Sequence, residues 1–220
     1  LSIHSFPTRR SSDLSKGTKG ITAFIVEKDF PGFTVGTHEL KMGIRGSSTC
    51  ELFFDNCIVP KENLLGVEGK GFSLAMATLD GGRIGVAAQA LGIAEGAIEE
   101  TIKYVNERVQ FGRTISKFQN TQFELAQMRA NTEAAKLLVY QAACAKDNHE
   151  RFTHFAAMAK LVSSRNASDV TRRCLQLFGG YGYSSDYPIE RMMRDAKITE
   201  IYEGTSEVQM MVISGWMGVK

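Results

Sequence analysis

The residues with the most chemistry to offer lie near the end of the 220-residue chain. They fall in Gln176-Leu-Phe-Gly-Gly-Tyr-Gly-Tyr-Ser-Ser-Asp186, then at Arg191 and Asp195, then in Ile201-Tyr-Glu-Gly-Thr-Ser-Glu207. Three glycines within four residues, Gly179, Gly180 and Gly182, bare their backbone N–H groups and let another molecule approach the main chain, which suits a phosphate or a flat cofactor. The plain alternative is a tight Gly-rich connection that holds no ligand. A lone glutamate such as Glu203 reads, by itself, as a solvated surface charge. Arg83, in Leu79-Asp-Gly-Gly-Arg-Ile-Gly85, sits partway along an apolar pattern, where an arginine snorkels or pairs with an acid unless a phosphate or carbonyl claims it.

These residues need elements to hold them. Between Gly20 and Pro60 the texture is that of strands: Ile21–Val26 is β-branched and apolar, Asp29-Phe-Pro-Gly32 turns the chain into Phe33–Val35, and Ser48–Phe54 alternates weakly before Asp55-Asn56 leads to Cys57–Val59. That is too little strand for a stable sheet of its own. After Gly69 the apolar period changes from two to about 3.6. The pattern predicts helices over residues 69–105, 118–145 and 151–178, then shorter ones over 189–195 and 206–217. Phe72, Met76, Leu79, Ile84, Ala87, Ala90, Leu91, Ile98, Ile102 and Val105 form the apolar stripe of the first. Gly179-Gly180 is expected to cap the third in the left-handed region, and Ser206 to cap the last. The fold class is therefore α+β, a partial antiparallel β domain over residues 15–65 followed by an antiparallel helical bundle over 66–220.

Composition removes several classes of function. An apolar fraction of 43%, a charged fraction of 23% and 4 Pro describe a globular chain. A net charge of +2 with no basic face argues against nucleic acid, and no apolar run approaches the roughly 20 residues of a membrane span. Cys50, Cys57, Cys144 and Cys174 have neither zinc-site spacing nor disulfide density, so they read as reduced thiols of a cytosolic-type compartment and no metal is expected. Residues 1–14 share no pattern with the strand and helix segments after them and read as a leader foreign to the fold, with a transit peptide as the other reading.

Five ordered segments then converge. The pattern Q-x-x-G-G-x-G-aromatic with Asp186, Arg191 and Asp195 resembles the C-terminal signature of acyl-CoA dehydrogenases, and Ile201–Glu207 is similar to that family's catalytic segment. Leu79–Gly85, Arg108-Val-Gln-Phe-Gly112 with Phe118-Gln119, and Lys41-Met-Gly-Ile-Arg45 with Val59-Pro60 look like family motifs in the family's order. The resemblance covers residues 16–218 and points to the short-chain, butyryl-CoA type.

It implies an FAD-dependent enzyme that takes a proton from Cα and a hydride from Cβ of an acyl-CoA to give the trans-2-enoyl-CoA. Glu203 would be the base, since burial beside apolar substrate raises a carboxylate toward the working pH, and its backbone N–H would polarise the thioester carbonyl. Some relatives carry the base at the position of Gly82, which supplies no acceptor here. Asp80, Gly81, Gly82, Arg83 and Gly204 would line the substrate. Arg108, Gln119 and Gln176, Leu177, Phe178, Gly179 and Gly180 would hold the FAD pyrophosphate and adenosine from a neighbouring subunit, with Thr205, Ser206 and Glu207 contacting FAD in the subunit that bears the base.

The resemblance further implies an electron transfer flavoprotein as acceptor and a homo-oligomer, a dimer of dimers. It places the enzyme in the bacterial cytoplasm, or in the mitochondrial matrix of a eukaryote. The family's N-terminal helical domain and its Thr-Glu-x-x-x-Gly-Ser-Asp-type segment have no counterpart in this sequence. The reading is thus of a C-terminal part, with an open flavin site and an exposed sheet edge, whose activity alone is in doubt. Two other readings stay open on the residues themselves: a flavin oxidase or monooxygenase on a related scaffold, against which Glu203 in its Tyr-Glu-Gly-Thr setting argues, and a non-catalytic helical interaction module.

Overall fold

The structure, a computed structural model, describes residues 13–219. The leader expected over residues 1–14 lies, as far as residue 12, outside the described residues. The chain divides into two compact units. One takes the described residues through Lys41 with Arg45–Leu79; the other takes Met42–Ile44 with everything from Asp80 onward.

The first unit is built from short antiparallel pairs. β1 (Ala23–Phe24) pairs with β4 (Leu64–Leu65), and β2 (Phe33–His38) pairs with β3 (Cys50–Phe54) in the register Phe33↔Phe54, irregular between Val35 and His38. The Phe33 and Phe54 rings meet at 5.0 Å across that ladder. Two expectations need correction. Ile21–Val26 contributes only two residues to a ladder, and Cys57–Val59 is not a strand. The chain does turn at Asn56, with φ 48°, but the Asp55 N–H already bonds the Gly32 carbonyl at 2.7 Å and closes the β2–β3 ladder there. Pro60, which has no N–H, comes soon after.

Helices dominate the rest, as the 3.6 period predicts. α1 (Gly71–Glu107) has 37 residues, about 55 Å at 1.5 Å per residue. A small hairpin of β5 (Val109–Gln110) and β6 (Arg113–Thr114) comes next, turning on Phe111 and Gly112 with φ 52° and 76°. Positive φ at both central residues matches the mirror-image turn that suits strand twist. Then come α2 (Gln119–Asp147), α3 (Thr153–Phe178), α4 (Ile189–Ile198) and α5 (Ser206–Trp216).

α3 packs against α2, α4 and α5. Its buried positions Ala156, Lys160, Ser163, Ala167, Val170 and Cys174 recur at alternating steps of four and three, and Ala157, Ser164 and Thr171 add a second stripe. Such small side chains let helix axes approach. Ala90, Ala94, Ala97 and Ile98 of α1 meet Met128 of α2 and Ala167, Val170 and Cys174 of α3 in one apolar cluster, closed by Phe178, Ile189 and Ala196. Along α1 the predicted stripe is buried at Ala87, Ala90, Leu91, Ile98 and Val105, whereas Phe72, Met76 and Ile102 remain exposed. Buried threonines satisfy themselves: Thr101, Thr132 and Thr171 each donate to the carbonyl one turn back, at 2.6, 2.8 and 2.7 Å. His154 stacks on Trp216 at 4.4 Å, tying the start of α3 to the end of α5. Among the described residues no helix is long and apolar enough to cross a membrane.

Ala167, with no exposed surface, has no room for more side chain. Ala167→Leu is expected to cost about 1–3 kcal/mol by overpacking. Gly92→Ala on the exposed face of α1, where an added Cβ meets nothing, should instead add up to about 1 kcal/mol. Denaturant melts of the two variants check the opposite signs.

Candidate active site and cofactor cleft

Glu203 sits in the connection from α4 to α5, and its backbone is unusual. Glu203 has φ 55° and Gly204 φ 93°, two left-handed residues in succession, the first of them not a glycine, which costs about 1–2 kcal/mol in steric strain. Neighbouring side chains hold the shape. Gln209 Nε2 donates to the Glu203 and Gly204 carbonyls at 3.3 and 2.8 Å, and Lys160 Nζ, from α3, donates to the Gly204 carbonyl as well. The Ser206 N–H reaches back to the Glu200 carbonyl at 3.0 Å, and Tyr202 bonds Gln89 of α1 through its hydroxyl. Thr205, not Ser206 as expected, is the N-cap of α5: its hydroxyl accepts from the Val208 N–H. Ser206 is the first helical residue instead, with its Oγ buried and lacking a protein partner.

This turn lays the Glu203 carboxylate on α1. A Cβ added at Gly82 would stand 2.5 Å from Glu203 Oε2, so the glycine leaves the space that the carboxylate occupies. One residue further on, Arg83 is 5% exposed. Its Nη1 pairs with Asp80 Oδ1 at 2.6 Å, Asp80 Oδ2 accepts from Thr153 at 2.6 Å, and Arg83 Nε is buried without a protein partner. Gly81 faces the Lys146 ammonium. Lys160 has no exposed surface, and burial, with Arg83 nearby, holds its amine down to about 8, against the pull of Glu203, Glu200 and Glu207. Glu207 stays exposed at the start of α5, its carboxyl held low by its own backbone N–H and the Thr205 hydroxyl.

At the other end of α3 lies a cleft of about 550 Å³, lined by Arg108, Gln110, Ile115, Tyr104, Tyr181 and the whole of Gln176–Gly180. Gly179 ends α3 with φ 60° and ψ −137°. That is positive φ as expected, but outside the left-handed helical well, in a region open essentially to glycine. Gly182 is packed so that a Cβ would meet the Leu175 carbonyl at 2.6 Å. Tyr104 stacks on Phe178 at 4.0 Å and donates to its carbonyl at 3.2 Å, while the Arg108 guanidinium lies 4.8 Å from the Tyr181 ring centre. Arg108 and Gln176–Gly180, distant in sequence, thus share one surface. Gln119 does not join them; it opens α2, exposed.

Tyr104, Gln110, Ile115 and Tyr181 escaped sequence reasoning. The usable signals were that Tyr104 precedes Arg108 by one helical turn and that Gln110 stands two extended residues beyond it. The motif acids Asp186 and Asp195 are structural: Asp186 accepts from Ser184 at 2.8 Å, and Asp195 accepts from the Ile44 N–H at 2.6 Å. Gly43 is there because a side chain would strike the Arg194 carbonyl.

Residues 69–218 match the family model "Acyl-CoA dehydrogenase, C-terminal domain". The chain is 61% identical over 204 residues to the short-chain specific acyl-CoA dehydrogenase of Clostridium acetobutylicum, covering 93% of this chain and 54% of that protein. It is 52% identical to the short-chain specific mitochondrial enzyme of Rattus norvegicus, over 93% of this chain and 50% of that one. The three-dimensional structure of butyryl-CoA dehydrogenase from Megasphaera elsdenii superposes with a TM-score of 0.91 at 56% identity, over 97% of this chain and 54% of that one. The chain therefore spans about half the length of the relatives it matches. With the family model matched over residues 69–218 and relatives 52% and 61% identical across 93% of it, the chain belongs to the acyl-CoA dehydrogenase family.

Proposed function

We propose that the protein to which this chain belongs dehydrogenates a short-chain acyl-CoA between Cα and Cβ, with Glu203 as the base. The observation that carries the reading is the Glu203 carboxylate lying against Gly82, on a turn fixed from α3 and α5, in a chain so similar to short-chain acyl-CoA dehydrogenases. Glu203 accepts the α-proton on a carboxylate oxygen, and its backbone N–H polarises the thioester carbonyl, raising the acidity of that C–H. Asp80, Gly81, Gly82, Arg83 and Gly204 border the thioester. The ion pair of Arg83 with Asp80 orients the guanidinium, and its buried Nε is left for a ligand oxygen.

The residues present fit FAD. Arg108 offers a charged planar fork for a diphosphate, Gln176–Gly180 offer backbone close to the cleft floor, and the rings of Tyr104 and Tyr181 offer flat apolar surface. Ser206 Oγ, buried without a protein partner, is a further polar contact beside Thr205 and Glu207. FAD supplies, when bound, the acceptor for the hydride from Cβ. The resemblance assigns Arg108, Gln119 and Gln176–Gly180 to the FAD of a neighbouring subunit, so each site draws on two chains of a homo-oligomer, a dimer of dimers, although Gln119 does not line the cleft with the others. An electron transfer flavoprotein is the proposed acceptor; one similar chain, at 57% identity, comes from a study of such a protein of Acidaminococcus fermentans.

In the full-length protein, Glu203→Gln keeps FAD and acyl-CoA bound but slows flavin reduction by butyryl-CoA at least about 10²-fold; near-wild-type bleaching in rapid mixing would sink the assignment. Gly82→Ala should separate stability from activity. The methyl pushes the carboxylate aside, slowing reduction on the order of 10²-fold, while the thermal midpoint stays level or rises because alanine favours the helix. Arg108→Ala is expected to weaken FAD retention about ten- to a hundred-fold, the loss of a charge-assisted contact, with flavin content after gel filtration as the readout.

A further inference from the structure

Lys160 is the most deeply buried ionisable side chain near Glu203, and the proton transfer to Glu203 makes no use of it. A lysine in mid-helix normally extends its amine to water. This one has no exposed surface on α3, and its Nζ is spent on the carbonyl of Gly204, the residue after the base. The charged groups around it are Arg83 from α1, Glu203 and Glu200 from the connection, and Glu207 from α5. Burying an amine is costly, and Glu203, a non-glycine at positive φ, resists its own conformation. Both costs are met at one hydrogen bond. Gln209 grips the same carbonyl from the opposite helix, but carries no charge.

We propose that Lys160 is the positioning residue of the base: by donating from α3 to the Gly204 carbonyl, its amine pins the Glu203–Gly204 turn in the conformation that lays the Glu203 carboxylate beside Gly82. That Glu203 is the base rests on the function proposed above; that Lys160 holds the turn does not. The two parts predict different signatures. Loss of the hydrogen bond loosens residues 201–206 locally, leaving α3 intact. A displaced carboxylate slows proton abstraction while acyl-CoA binding is nearly kept. A merely structural lysine would not split kcat from KM.

The test uses the full-length, FAD-loaded protein carrying Lys160→Met, which matches the stem in volume and has no amine, and Lys160→Gln, which keeps a shorter, uncharged donor and serves if the first fails to fold. Hydrogen exchange should quicken over residues 201–206 about tenfold or more in Lys160→Met, as expected for one charge-assisted bond. In rapid mixing with butyryl-CoA, flavin reduction should slow about tenfold or more in Lys160→Met, with kcat falling more than KM rises.

Stability provides an independent reading of the buried amine. Its folded pKa of about 8 lies below the ordinary 10.5, so between those values the unfolded chain keeps a proton that the folded chain has released. Wild-type stability should therefore gain as pH climbs through that window, and Lys160→Met should lose the gain. Unchanged exchange over 201–206 overturns the proposal, and so does a rate of flavin reduction equal to that of the wild type. If wild-type protein leaves butyryl-CoA untouched, the functional reading fails, and exchange together with the stability window still decides whether Lys160 holds the turn.

Discussion

A helix enclosed by three others can carry only small side chains where their axes come close. α3 meets that constraint with Ala156, Ala157, Ala159, Ser163, Ser164 and Ala167, all buried, and the candidate sites are consequences of it. Because α3 is packed against α2, α4 and α5, its C-terminal end presents Gln176–Gly180 as one wall of the cleft. Because its middle is buried, a long polar side chain placed there, Lys160, must point at something that repays it, and that is the turn bearing Glu203. Close packing thus fixes both ends of the chemistry through a single element.

The electrostatics have their origin in the same enclosure. Arg83 and Lys160 are two buried cations, Arg83 paired with Asp80, and Lys160 with the half-buried carboxylates of Glu200 and Glu203 and the exposed one of Glu207 around it. Buried charges act on one another more strongly than charges at the surface. The same burial lifts the Cys174 thiol to about 11, which leaves it a packing group and not a nucleophile.

Most of the helical part was legible because a 3.6 period depends only on which face is apolar, and the tertiary structure kept those faces inside. The extended part was harder. Whether Cys57–Val59 pairs with anything depends on a bond between Asp55 and Gly32 that no local pattern announces. Thr205 and Ser206 are equally good caps in sequence; the choice between them is made by where the left-handed Glu203–Gly204 pair delivers the chain. Gln119 sits beside Phe118 in a family-like motif, yet only the fold reveals that it opens α2 exposed and does not line the cleft with Arg108. Lys160 was the least visible. In Ala-Lys-Leu it has the look of a solvated helix residue, and the carbonyl that holds its amine comes from the turn after α4, 44 positions away in the chain.

Gly82 and Glu203 share one volume, since a side chain at the first would overlap the carboxylate of the second. Two acids could not occupy it together without both collision and mutual repulsion. The pair therefore behaves as a single seat that descendants of this sequence can refill only by exchange: an acid gained on the helix must be matched by one lost from the turn. An intermediate with neither acid leaves the space empty, and one with both is crowded. Drift at either position is consequently arrested by the other, and a change of seat demands two coupled substitutions on elements 121 positions apart in the chain.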